Sequence, residues 1–312
     1  MATTGDTPNR RGMRLRRTLS AAHLMLGLTL GLVWALQGLT GAMLVFHREF
    51  DRLATGASQA NGTAYAAEIP LDRILATARE KLSEPPDSIG VIDGDPSLLT
   101  VNYADPAGNR RGLIIDAASG KILQQRDWRP RSPADGNFTR WIYDLHHHLL
   151  LGEVGGMLLG LSGLFLVLSA CWGTYLAWPR RKQWKQAFAV SCWRTRRQRL
   201  WGWHRATGLI AGIALIIVAL SGASMDFGKQ LRAFSNAYLP YRKPFAPILV
   251  QVAEDPIAPQ RALEIAREQL PTAAFVAVSL PTEESPVYRV RLRQPGEWRS
   301  WSGTSVTATS PG

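Results

Sequence analysis

Cysteine is nearly missing from this chain: Cys171 and Cys192 are the two it has in 312 residues. A disulfide framework is thereby excluded. No C-x-x-C-H motif occurs, so a haem could be held only by axial ligands and not covalently. Charge is absent from three long stretches, Leu24 to Phe46, Val154 to Trp178 and Ala206 to Met225. Acid is absent, or nearly so, from two more. Residues 1–22 carry five arginines against Asp6 alone, and residues 179–205 carry nine lysines and arginines with no acid. These two flanks account for the whole net charge of +12. A nucleic-acid partner is excluded, because the positive charge is confined to the borders of apolar runs instead of being spread along the chain.

Each apolar run, at about 1.5 Å per residue, is long enough to cross a hydrocarbon core of about 30 Å. The first is also longer than the apolar part of a cleavable signal peptide, which is about 7 to 15 residues. Basic flanks mark the cytoplasmic side. The sequence therefore predicts a cytoplasmic basic tail over residues 1–17, transmembrane helices over 18–48, 141–178 and 204–228, and a cytoplasmic basic loop over 179–203. Segments 49–140 and 229–312 fall outside. Anionic membrane lipid is the expected partner of the loop. Tryptophans 172, 178, 184, 193, 201 and 203 form an interfacial belt on its side.

The outer segments share one order of elements. In the first, a helical pattern over Leu71 to Leu82 precedes strand-like runs at Ser88 to Ile92, Leu98 to Tyr103, Gly112 to Ile115 and Lys121 to Gln125, with a turn at Asp116 to Gly120. In the second, a helical pattern over Pro259 to Leu270 precedes strands at Ala274 to Leu280 and Val287 to Leu292. The fold class expected is an α-helical membrane bundle of three spans with two small α+β domains, the second incomplete. Residues 302–312 read as polar and structureless.

The helices repeat as well. Arg16, Leu19, His23, Gly27, Gly31, Gly41, Ala42 and Phe46 recur 181 residues later as Arg197, Leu200, His204, Gly208, Gly212, Gly222, Ala223 and Phe227. A nitrogen able to ligate metal is costly in lipid and needs a reason. His23 and His204 lie at one depth, each followed after four residues by a glycine that bares the helix above it. This pattern points to two axial histidines around one haem. All six histidines lie near span ends, where interfacial anchoring is the plain alternative. His47 ends the first span and His146, His147 and His148 open the second. His146 and His148 face nearly opposite ways on a helix, so one or the other would pair with His47. His148 precedes Gly152 by four, as at the other sites. A zinc or free-iron site from the triplet is disfavoured, since consecutive residues do not converge on one metal. His23 and His47 are separated by about 36 Å of helix, room for one cofactor near each end. Glu153 is read as reaching water. Arg129, Arg131 and Arg140 form an external basic cluster.

These features resemble the PepSY-associated transmembrane-helix family, and within it the bacterial inner-membrane ferrisiderophore reductases. The resembling residues are His23 with Gly27, Leu39 to Gly41, Leu145 to Gly155 leading into Trp178 to Arg181, Trp203 to Arg205, Ser221 with Gly222, and the Asp116 to Gly120 turn of a PepSY domain. The resemblance implies haem b in the bundle, with electrons passed outward to ferric siderophores or other ferric chelates in the periplasm. It makes the outer domains PepSY-like and periplasmic. The electron donor would be quinol or a cytoplasmic reductase. The family adds a fourth helix carrying another histidine, and the polar ending here suggests a truncated or frameshifted chain. The competing expectations are a haem-free, membrane-anchored PepSY module that regulates a transporter, protease or sensor, and a permease component, which the uncharged spans disfavour.

Overall fold

The structure is a computed structural model, and it describes residues 10–55, 70–92, 95–134, 137–189, 195–238, 257–282, 285–297 and 304–308. Residues 56–69, which precede the predicted helical pattern at Leu71, and Cys192 lie outside these residues. The chain divides into two compact units, one of residues 1–42 with 144–242 and one of residues 43–143 with 243–312.

In the first unit, helices α1 (Arg10–Val45), α5 (Gly152–Ala177) and α7 (Arg196–Asp226) are each long and apolar enough to cross a membrane. They overlap the three predicted spans, with α1 and α7 each starting eight residues before the predicted boundary. Helices α5 and α7 pack through small residues, as helices must where lipid supplies no hydrophobic drive. A Cβ at Gly163 would touch Ala219 and Ala223, one at Gly160 would come within 2.9 Å of the Phe227 ring, and one at Gly212 within 2.7 Å of the Thr174 hydroxyl. Helix α7 starts at a capping box, in which Thr195 accepts from the Gln198 amide and Gln198 reciprocates. Helices α6 (Trp184–Phe188) and α8 (Gly228–Tyr238) flank it in sequence.

The second span corrects the sequence reading. Residues 141–178 are not one helix: α4 (Phe138–His148) stops at the histidine triplet and α5 starts at Gly152. Leu149 and Leu150 turn the chain with φ of 52° and 59°. Left-handed backbone costs about 1–2 kcal/mol at each such residue. Gly152, at φ 62°, continues the turn at no such cost. It therefore serves the turn, not a groove above His148 as the four-residue spacing suggested. A Cβ at Gly155 would overlap the His148 carbonyl, so only glycine lets α5 begin beneath the end of α4.

The second unit holds α2 (His47–Thr55), α3 (Leu71–Lys81), α9 (Pro259–Gln269) and seven strands: β1 (Pro86–Ile92), β2 (Asp95–Ala104), β3 (Arg110–Asp116), β4 (Ile122–Asp127), β5 (Ala274–Ser279), β6 (Tyr288–Arg293) and β7 (Thr304–Ala308). Two separate α+β domains were expected; the strands instead make one antiparallel sheet of order β4-β3-β2-β1-β5-β6-β7. Its seam is the pairing of Ser88, Ile89 and Gly90 with Ser279, Val278 and Ala277. Strand β7 corrects a second expectation. Residues 304–308 read as structureless, but backbone pairing with β6 needs no apolar run, and Thr304, Val306 and Thr307 are β-branched.

Alternation sends Ile89, Leu99, Val101, Leu113, Val278, Val290 and Leu292 to one face, where they are buried with Leu71, Leu75 and Ala78 of α3 and Ala262, Leu263 and Ala266 of α9. This is the main core of the unit. On the opposite face a polar row crosses β1 and β2: the Trp128 indole donates to Asn102 Oδ1 at 3.0 Å, and Asn102 donates to the Ser88 hydroxyl at 3.2 Å.

Candidate functional site

Helices α1 and α7 bring His23 and His204 together, their ring centroids 6.1 Å apart and the planes inclined at 45°. The pairing predicted from the repeat is therefore present as a spatial pair. His23 Nδ1 lies 3.0 Å from the Ser169 carbonyl oxygen on α5. The Ser169 hydroxyl lies 3.0 Å from the same nitrogen; the carbonyl, which can only accept, favours the tautomer with the proton on Nδ1, in which Nε2 keeps its lone pair. The ring rests on Gly173, one helical turn beyond Ser169, where a Cβ would come within 2.9 Å of its Cε1. Sequence reasoning did not single out Ser169 and Gly173. Their four-residue spacing, which puts both on one helix face, is the trace that could have found them.

One helical turn on from each histidine the helix surface is bare. A Cβ at Gly27, Gly31 or Gly208 would have nothing within 4 Å. Gly212, in contrast, is a helix contact. Two imidazoles opposed across one metal at bonds of about 2 Å have ring centres about 6.4 Å apart, and the 6.1 Å seen here fits that requirement. The ring separation is one that two imidazoles on a single metal would have, and Ser169 is the hydrogen-bond partner of His23.

The triplet splits as its spacing requires. His146 turns to α1: its Nδ1 lies 2.9 Å from Thr40 Oγ1, and its Cε1 would be 3.1 Å from a Cβ on Gly41. The Thr40 hydroxyl proton goes to the Leu36 carbonyl at 2.8 Å, so Thr40 accepts from His146. His148 turns elsewhere. Its Nδ1 is 3.0 Å from the Asp144 carboxylate, and its Cδ2 would be 3.6 Å from a Cβ on Gly156. Both rings thereby direct Nδ1 to a partner. His147 stacks edge-on to His146, with centroids 5.1 Å apart.

In the second unit, His47 starts α2 with its Nδ1 2.8 Å from the Leu44 carbonyl. Among the described residues no three His, Cys, Asp or Glu side chains converge to hold a metal ion. The Glu153 carboxylate is 84% exposed, and its neighbour 3.4 Å away is the exposed Lys229 ammonium, in keeping with a side chain that reaches water. Arg140 lies between the rings of Trp128 and Tyr143, at 4.7 and 4.5 Å.

One interaction had no precursor in the sequence reading. Arg126 on β4 donates from both Nη atoms to the two Asp51 oxygens of α2 at 3.1 Å, and the side chains are only 3% and 6% exposed. A buried pair of this kind holds because each charge is the other's solvent. It fixes α2 to the sheet.

Comparison with known proteins gives one finding. No curated protein matches the chain. The family model for the PepSY-associated TM region matches residues 20–308, spanning all three apolar helices and both strand-bearing segments. The chain belongs to the PepSY-associated TM family of membrane proteins.

Proposed function

We propose that this protein is an electron conduit of the bacterial inner membrane that carries haem b and reduces ferric siderophores or other ferric chelates in the periplasm during iron uptake. One observation carries the reading: two histidines at the same position of a repeated helix meet at 6.1 Å, with a carbonyl beside one of them that favours the tautomer leaving its Nε2 lone pair free.

A haem b bound there would supply a one-electron centre. The chain's own residues do the rest. His23 and His204 would hold the iron, Ser169 fixes the ring of His23, and Gly27, Gly31 and Gly208 leave room for the macrocycle. On the sequence pattern, His47 with His146 or His148 would form a second ligand set nearer the periplasm. Reduction of the substrate consumes one electron per Fe(III) and yields Fe(II), which hard oxygen chelators hold less tightly. Quinol or a cytoplasmic reductase would supply that electron.

The test is optical. Membranes from haem-replete cells expressing the chain are expected to show a Soret band and a sharp α band after dithionite, and His23→Leu or His204→Leu to remove the component from this site while inserting normally. A pure, colourless protein overturns the reading and leaves a haem-free PepSY interaction module in its place.

A further inference from the structure

Arg205 follows His204 on α7 and departs from the repeat, since the first copy carries Leu24 at the matching position. It is the last charged residue before the uncharged stretch of that span. A cation at such a border is costly unless an anion meets it. The protein supplies none. The Arg205 Nε is buried and has no acceptor among the described residues. Helix α1 and residues 179–205 contain no acid. Glu153 opens α5, and Asp226 closes α7 about 30 Å of helix beyond Arg205. The guanidinium carbon lies 5.3 Å from the centre of the Trp201 ring, one turn back along the helix. That contact seats the side chain without neutralising it.

Gly208 locates the missing anion. It is three residues from Arg205 and four from His204, and residues so spaced are neighbours on a helix surface. A Cβ there would meet nothing within 4 Å. The bare surface therefore has His204 on one side and Arg205 on the other.

We propose that Arg205 receives a propionate carboxylate of the porphyrin held by His23 and His204, and so turns the acidic edge of that porphyrin toward the basic end of the bundle. The proposal rests on the haem reading and adds to it the residue that recognises the cofactor's anionic edge. Haem b carries its two carboxylates on one side of the ring, and the guanidinium fork matches a carboxylate in two-point contacts. A lipid phosphate offers the same chemistry from a second source, and the experiment separates the two.

The full-length chain is made haem-free in cells that cannot synthesise haem. It is titrated in nonionic detergent with haem b and with its dimethyl ester, in which both carboxylates are capped. Uptake is read from the Soret band, as the component that His23→Leu abolishes. The quantity compared is the ratio of the two affinities, so that any preference of the micelle for the ester cancels between variants. The expected result is a preference for the free acid that falls about tenfold or more in Arg205→Gln, as for a hydrogen bond to a charged group. Arg205→Lys, with the charge kept, should retain the preference within severalfold. Arg205→Leu restores the residue of the first copy and gives the same readout should the glutamine variant insert poorly. A ratio that Arg205→Gln and Arg205→Leu leave unchanged overturns the proposal. Phosphatidylglycerol that binds wild type and not Arg205→Gln, with that ratio unchanged, assigns the guanidinium to a lipid phosphate instead. Wild type that takes up neither porphyrin overturns the conduit and this proposal together. Wild type that takes up both, at a ratio indifferent to residue 205, overturns this proposal and leaves the conduit standing.

Discussion

The carbonyl and the hydroxyl oxygens of Ser169 both lie 3.0 Å from His23 Nδ1, and the carbonyl, an acceptor only, favours the tautomer that leaves Nε2 its lone pair. The ring can occupy that position because residue 173 has no side chain. Gly173→Ala is therefore expected to push His23 off its carbonyl and lower the haem-to-protein ratio severalfold, with insertion unchanged. Ser169→Ala keeps the carbonyl and should retain haem. Equal retention in wild type and Gly173→Ala would show that the ring needs no such seat.

Arg126 and Asp51 predict an asymmetry between single and double substitution. Arg126→Met takes the guanidinium away from the buried Asp51 carboxylate and should cost about 3–5 kcal/mol. Adding Asp51→Leu removes that buried charge and should recover most of the loss. Urea unfolding of the detergent-solubilised chain measures both, and strictly additive losses would mean that the pair is not coupled.

The glycines sort by what surrounds them. Gly155→Ala meets a backbone carbonyl that cannot yield and should lower folded yield sharply. Gly160→Ala meets the Phe227 ring at 2.9 Å, an overpacking expected to cost about 1–3 kcal/mol. Gly27→Ala meets nothing within 4 Å and should leave stability unchanged while impairing haem uptake. A Gly27→Ala protein as unstable as Gly160→Ala would mean that α1 is packed where the structure leaves it open.

Stability of the second unit should bend at both ends of the pH range. The Asp105 carboxyl is held below its ordinary value, chiefly by the Asn109 backbone amide and also by the Asn109 side chain, Arg111 and the Ala107 amide. Its contribution is present above the unfolded value of about 4 and is lost as pH falls through the folded one. Burial raises the phenols of Tyr103 and Tyr288. Their contribution is complete below about pH 10 and is lost as pH rises from there through the raised folded values. Asp105→Asn should flatten the acid limb, and Tyr288→Phe should soften the alkaline one. Urea midpoints against pH check both, and unaltered limbs would exclude these groups.

Much of this arrangement was legible in the residues, for local reasons. The spans follow from length and apolarity, and the helices at Leu71 and Pro259 and strands β1 to β6 follow from periodicity, to within a few residues. The His23–His204 pair was legible because the repeat transmits register. What escaped depended on distant partners or on backbone alone. The β1–β5 seam joins Ser88 to Ser279, and no local pattern announces a pairing across most of the chain. The break after His148 falls on Leu149 and Leu150, which carry no turn signal. Arg126 reads as a surface charge at the end of a strand until Asp51 arrives from α2.

The seam between β1 and β5 has a further consequence. Because each half of the sheet closes the other's open rim, neither can be expressed, excised or exchanged as a unit without leaving a raw row of amides and carbonyls ready to recruit another chain. Ile89 and Val278 are buried partners across that seam, so a change in the volume of one must be matched by the other.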